Sequence, residues 1–203
     1  MRVHLIVLAL AATFLGTEAR TQTIDCSHRT AEDFVPMSRT DRAADYVRSL
    51  SGPEAFLYAG TVAAIDQGVN RPREWGQGAV GYSRRFGNAS AENIIGNTLQ
   101  HGLALRLDED NRYFTSGERG FVRRLGYSLA SPLVARHSNG SRSVSLSAIG
   151  GVAGAVLIAQ IWQARSTSHV GNAGRAIGLT FAFRAGYNVA REFAPRAIAS
   201  ILR

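Results

Sequence analysis

Small side chains recur at every fourth position near the carboxyl end of the chain. The row consists of Gly174, Gly178, Ala182, Gly186, Ala190 and Ala194. Residues four apart lie on one face of an α-helix, so this segment predicts a helix with a smooth face that another helix can approach closely. Each interior glycine costs about 0.5–1 kcal/mol relative to alanine in a helix. Because the cost is repeated, we expect the row to pack, and we expect leucine at Gly178 or Gly186 to destabilise the fold by crowding.

Two shorter rows support the same interpretation. They are Gly151, Ala155 and Ala159, and Gly60, Ala64 and Gly68. Rows of this kind are typical of membrane helices and also occur in tight soluble bundles. The sequence therefore predicts a mainly α protein, a single helical domain packed through Gly/Ala rows, and leaves membrane association open.

Turn-forming residues set the predicted limits of the elements. Gly52-Pro53 ends a helix that begins at Asp41 after a Thr40 cap, and starts a second helix. Arg71-Pro72 breaks the chain, and glycines between Gly76 and Gly87 indicate either a loop or close backbone approach within a helix. Helices are predicted at 91–107, 121–133 and, interrupted near Pro195, 168–203. Ser138-Asn139-Gly140, between weakly alternating flanks, predicts one short β-hairpin.

The segment from Ser143 to Ala164 contains no charged residue. At 1.5 Å per residue it would extend about 33 Å, against a hydrocarbon core of about 30 Å. Polar serines and glutamines occupy its ends, however. A buried central helix, a membrane span and an interfacial helix therefore stay open.

The amino terminus has the pattern of a secretory signal peptide. Arg2 precedes an apolar run from Leu5 to Gly16, and Thr17-Glu18-Ala19 places small residues before a cleavage point. We predict a signal peptide at 1–19, a flexible lead-in at 20–40 and a helical domain at 41–203. Export would place the single cysteine, Cys26, in an oxidising compartment, either free or paired between chains.

Charge is distributed unevenly along the chain. All 23 basic residues are arginines, and the half from Asn111 onwards holds 12 of them against two acids, Glu118 and Glu192. A basic half favours an anionic partner, and we expect a membrane or an envelope polymer, with homo-oligomers also open. Export argues against nucleic acid. The arginines predicted to contact the anionic surface are Arg123, Arg124, Arg165, Arg175 and Arg184. The alternative is a solvated arginine surface without a partner.

One polar region is a weak candidate for catalysis or ligand binding. Asn93, Asn97 and His101 share a helix face, and the acids Asp108, Glu109 and Asp110 follow. Recognisable nucleophile, phosphate-binding, zinc and dinucleotide motifs are missing from the sequence, so we expect no cofactor and no metal and lean against an enzyme. The preferred interpretation is a structural clasp, in which Arg112 pairs with these carboxylates in bidentate fashion.

Two sequence motifs resemble those of a group of other proteins. Glu74-Trp75-Gly76-Gln77-Gly78 is followed by Gly81-Tyr82 and Arg85-Phe86-Gly87, and later by Glu109-Asp110-x-Arg112-Tyr113-Phe114. This pattern resembles an uncharacterised group of exported bacterial proteins of acidobacterial type, over about 52–195. This chain departs from it in having Asn111 where proline is expected. The resemblance implies bacterial origin and export, and it implies no activity.

The sequence therefore predicts an exported, envelope-associated helical protein with a structural or interaction role. Its basic carboxyl-terminal half would contact anionic lipid or envelope polymer. The alternative is a periplasmic ligand-binding protein or enzyme that uses the region of His101, Asp108, Glu109 and Asp110.

Overall fold

The computed structural model describes residues 34–167 and 170–193. The predicted signal peptide, Cys26, Ala194 and Pro195 lie outside the described residues. The protein is mainly helical with a small antiparallel sheet, as predicted. The helices are α1 Arg39–Ser51, α2 Pro53–Gly68, α3 Gly78–Leu107, α4 Phe121–Ala130, α5 Leu146–Ala159 and α6 Val170–Phe193. The strands are β1 Glu109–Asp110, β2 Val134–His137 and β3 Arg142–Val144, with short 3₁₀ turns at Arg73–Trp75 and Ser131–Leu133.

The first two helices meet at the predicted Gly52-Pro53 boundary. The Gly52 N–H donates to the Arg48 carbonyl at 2.8 Å, and Pro53 occupies the first turn of α2. The start of α1 differs from the prediction. Ser38, not Thr40, is the cap: its hydroxyl accepts from the Asp41 N–H at 3.1 Å, and the Asp41 carboxylate accepts from the Ser38 N–H at 3.1 Å. This reciprocal capping box satisfies two amide groups that the helix itself leaves unpaired.

The long helix α3 is continuous through most of the glycine-containing segment between Gly76 and Gly87. The sequence alone allows either a loop or a helix there. The helix begins at Gly78 rather than Ala91. Gly81 lies where a Cβ would come within 2.4 Å of the Gly76 carbonyl oxygen. The glycine therefore marks a close approach of backbone within a helix, the second of the two interpretations of this segment.

The predicted hairpin is present and forms most of the sheet. Val134 pairs with Val144 and Arg136 with Arg142, while β1 adds Glu109 opposite His137, all antiparallel. The turn closes with the Gly140 N–H donating to the His137 carbonyl at 2.8 Å. Gly140 has φ of +82°, a conformation that disfavours residues with a Cβ.

The uncharged segment forms the 14-residue helix α5, which packs along α3. A Cβ added to Gly151 would lie 2.7 Å from the Gly96 carbonyl oxygen, and one added to Gly96 would lie 3.4 Å from the Ala155 Cβ. Gly151, Ala155 and Ala159 are all buried. In residues 34–167 and 170–193, no helix is both long enough and apolar enough to cross a bilayer.

Among residues 34–167 and 170–193, the longest small-residue row packs against no other helix, which corrects the prediction for α6. Gly174, Gly178, Ala182, Gly186 and Ala190 are exposed, and a Cβ at any of these three glycines would meet no described atom within 4 Å. The buried positions of α6 include Thr180, Asn188 and Glu192 instead. A repeat of small residues every four positions identifies a helix face but does not show what that face packs against. In α6 the polar face packs into the interior instead. Leucine at Gly178 or Gly186 is therefore not expected to crowd any described residue.

The interior is unusually polar for a helical protein. The buried apolar residues are mostly alanines, whereas the largest fully buried side chains are Arg85, Glu109, Ser128, Ser145 and Ser147. Many large apolar side chains lie outside, among them Val122 at 79% and Ile161 at 84% exposure. Exposed apolar surface of this extent is typical of proteins that meet a partner or a membrane.

The two glycine environments predict opposite effects of alanine. Gly151→Ala should lower the free energy of unfolding by about 1–3 kcal/mol, because the new methyl group presses on the α3 backbone. Gly186→Ala should raise it by about 0.5–1 kcal/mol, since the methyl group enters open space and helix propensity improves. Urea unfolding of both variants measures the difference. Equal effects would contradict the described α3–α5 contact.

Candidate functional site

The first motif of the resemblance forms a clasp around a buried arginine. Arg85 on α3 is 1% exposed. Its guanidinium donates to the carbonyls of Arg71 at 2.7 Å, Pro72 at 2.9 Å and Gly76 at 2.7 Å, and to Gln67 Oε1 at 2.5 Å. A charge-assisted hydrogen bond is stronger than a neutral one. The arginine thus holds the 71–76 loop on α3, a role that the sequence analysis missed.

The second motif joins the sheet to the start of α5 through Glu109. This carboxylate is 2% exposed and accepts from the Leu146 N–H at 3.1 Å, the Ser147 N–H at 2.9 Å and the Ser147 hydroxyl at 2.5 Å. Burial opposes its charge, but the hydrogen bonds outweigh burial and lower the pKa of Glu109. A carboxylate at a helix amino terminus also interacts favourably with the helix dipole.

Asn111, at the position where the resemblance predicts proline, belongs to this cluster. Its Nδ2 donates to Ser147 Oγ at 2.7 Å, and its Oδ1 accepts from Ser145 Oγ at 2.5 Å. The side chain of this residue therefore completes the hydrogen bonding of two fully buried serines.

The predicted clasp of Asp110 and Arg112 is confirmed. Arg112 Nε lies 3.1 Å from Asp110 Oδ1, and Arg112 Nη2 lies 2.7 Å from Asp110 Oδ2. Asp108, by contrast, is exposed; it accepts from the amide and the hydroxyl of Ser138 and lies 3.6 Å from Arg42. The three acids of the predicted polar site thus have three separate sets of partners.

His101 belongs to a different contact. Its Nε2 lies 3.4 Å from Asp45 Oδ2 on α1, and its Nδ1 lies 2.9 Å from the Asn97 carbonyl. Asn97 in turn donates to Asn93, so the predicted polar stripe exists on α3. It leads to α1 rather than to the acids. In the described part of the chain, no three His, Cys, Asp or Glu side chains lie close enough to hold a metal ion.

Glu192 on α6 ties the last helix to the loop before α4. It accepts from the Tyr113 hydroxyl at 2.5 Å, the Ser116 hydroxyl at 2.6 Å and Arg124 Nε at 2.9 Å. Burial opposes its charge, yet these hydrogen bonds lower the pKa of Glu192. Burial and the neighbouring carboxylate both raise the pKa of Tyr113.

Several of the arginines predicted to contact an anionic surface have partners within the protein. Arg124 pairs with Glu192, Arg184 donates to Gln100 Oε1 at 2.8 Å, and Arg175 lies 2.9 Å from Asp66. Desolvation lowers the pKa of Arg184. Arg123 and Arg165 are exposed. The prediction is therefore corrected for Arg124 and Arg184, whose positive charges serve the interior.

Large apolar side chains are exposed on one face of α5, just after α5, and on the hairpin that precedes it. We call this set the apolar outer surface and define it as Val134, Val144, Leu146, Ile149, Leu157 and Ile161. Leu146 is 59% exposed, Leu157 64% and Ile161 84%. Leu146, Ile149 and Leu157 share a helix face by their spacing, opposite the buried Gly151 and Ala155. Val134 and Val144 pair across the two strands that lead into the helix.

A small polar cavity lies between α2, α3, α6 and the segment that follows α5. It has a volume of about 60 Å³, and its lining includes Asp66, Glu92, Gln160, Gln163 and Arg175. The apolar outer surface and this cavity are two features of the described residues that can meet another molecule.

Comparison with protein-family models, with curated proteins and with solved structures finds no match for this chain.

Acid should destabilise the protein through Glu109 and Glu192. Both have a pKa below their ordinary value of 4.5 in the folded state. The unfolded chain therefore binds more protons in this range, and stability is lost as the pH falls from about 5 through the folded pKa values. Urea unfolding between pH 3 and 7 measures the slope.

Glu109→Gln should lower the free energy of unfolding at pH 7 by about 1–3 kcal/mol, because two backbone amides lose a charged acceptor. It should also flatten the pH dependence. Glu118→Gln, at an exposed position, is the matched control and should change neither. An unchanged acid slope in Glu109→Gln would contradict the assigned role.

Proposed function

We propose that this chain is an exported protein of the bacterial envelope that lies on an anionic membrane through its apolar outer surface. Its role is structural or interactive rather than catalytic. The observation that carries the proposal is the exposed apolar face of α5, which belongs to a segment without charge between Arg142 and Arg165.

The exposed charges in the second half of the chain support an anionic partner. In the second half of the chain the exposed arginines are Arg119, Arg123, Arg142, Arg165, Arg175 and Arg191. Among described residues of that half, Glu118 is the exposed acid, because Glu192 is buried against Arg124. A surface of this kind is attracted to anionic lipid headgroups.

The apolar residues favour a bilayer over an envelope polymer. A hydrated polymer offers no apolar phase in which Leu157 and Ile161 can be buried. Burying such a side chain fully contributes about 1.5–3 kcal/mol. Helix α5 is too short to span a bilayer, so it would lie in the plane of the interface. Export is supported by the signal-peptide pattern at 1–19.

The alternative of a periplasmic enzyme depends on the polar region of His101, Asp108, Glu109 and Asp110, and the placement of these residues does not favour it. Glu109 and Asp110 are buried in hydrogen bonds to their own structural partners, and His101 faces α1. We therefore do not propose catalysis at these residues.

Flotation with lipid vesicles tests the proposal. Protein purified from bacteria expressing the full chain should float with vesicles of phosphatidylglycerol and phosphatidylcholine, and less with phosphatidylcholine alone. Leu157→Glu with Ile161→Glu should reduce the bound fraction at least tenfold, because two charges enter the apolar outer surface. Raised salt should weaken binding by screening the arginines.

Leu57→Glu is the matched control, since Leu57 on α2 is 56% exposed and lies outside the apolar outer surface. This variant should bind like the parent protein. Equal flotation of all variants would contradict the proposal. So would a soluble dimer that the paired glutamates dissociate, because a second copy would then cover the surface.

A further inference from the structure

The polar cavity contains a carboxylate without a cationic partner. Glu92 Oε1 accepts from Asn88 Nδ2 at 2.8 Å and from Gln163 Nε2 at 2.9 Å. Both donors are neutral amides, and Oε2 accepts no hydrogen bond from the described residues. Burial raises the pKa of Glu92 despite these two bonds, and the negative charge of Asp66 adds to the effect.

Arg71 and Arg175 also line the cavity, and each has another partner there. Arg175 pairs with Asp66 at 2.9 Å, Arg71 donates to Asn172 Oδ1 at 2.5 Å, and Arg184 donates to Gln100. None of these guanidinium groups forms an ion pair with Glu92. The carboxylate of Glu92 is thus a half-buried acceptor that forms no ion pair with a described residue.

A second unsatisfied acceptor lines the same cavity. Gln160 Oε1 is buried and has no hydrogen-bond partner in the described residues. The aromatic rings of Tyr58 and Trp75 complete part of the wall. Buried polar atoms are satisfied in nearly all proteins, so a carboxylate and an amide oxygen together call for a donor. Aromatic rings beside them also favour a cation.

We propose that this cavity binds a small organic ammonium ion, held by Glu92 and Gln160 Oε1. The ammonium group supplies both the positive charge and the hydrogen-bond donors that the two acceptors lack. A single water needs a cavity of about 10–15 Å³. A volume of about 60 Å³ therefore admits a ligand of about four or five non-hydrogen atoms.

Calorimetric titration of the protein with ethanolamine and propylamine tests the assignment. Both amines are protonated at pH 7 and have four non-hydrogen atoms. Propanol is the neutral control of the same size, and sodium chloride is the control for ionic strength. We expect the two amines to bind and to raise the melting temperature, while propanol and sodium chloride do neither.

Glu92→Gln should weaken amine binding at least tenfold. The unliganded variant should fold as well as the parent protein or better, because the substitution removes a half-buried charge and keeps the carbonyl acceptor. Glu118→Gln, which changes an exposed carboxylate, should bind the amines like the parent. A cavity that holds only water would show no amine binding. That result would overturn the proposal, as would equal binding of propanol or undiminished binding by Glu92→Gln.

Discussion

The contact between α3 and α5 is the constraint on which the rest of the structure depends. At Gly96 and Gly151 the two backbones approach so closely that a single methyl group on Gly151 would collide with the Gly96 carbonyl. One face of α5 is buried in this contact. Because the helix is apolar all round, its opposite face is left outside with Leu157 exposed. The same close packing creates both the tight interior and the apolar outer surface.

Buried charges then attach the loops to the helices. Arg85 holds the 71–76 loop, Glu109 holds the start of α5, and Glu192 holds the segment before α4. A buried charge is tolerated only when its hydrogen bonds are complete, and each of these groups has several. Glu92 is the contrast, since its partners are neutral amides alone. That difference separates a structural charge from a candidate binding group.

Much of the fold could be predicted from the sequence because local chemistry decides it. Gly52-Pro53, the Ser138-Asn139-Gly140 turn and the Asp110–Arg112 pair all depend on neighbouring residues, and all are present. Features that need distant partners could not be predicted. The role of Arg85 depends on carbonyls in the 71–76 loop, and Glu92 becomes unusual only when four segments enclose it. The exposure of the small-residue row on α6 also depends on residues distant in sequence, and it could not be predicted either.

The most direct test of the account is the environment of α5 on a membrane. Cys26→Ser combined with Leu157→Cys allows a single environment-sensitive nitrobenzoxadiazole label on the apolar outer surface, and Ala64→Cys on α2 places the same label at another exposed position. With anionic vesicles, the account predicts a blue shift and several-fold brightening at position 157, quenched by lipid-borne spin labels, and no change at position 64. A label at position 157 that keeps its aqueous spectrum when vesicles are present would contradict the account.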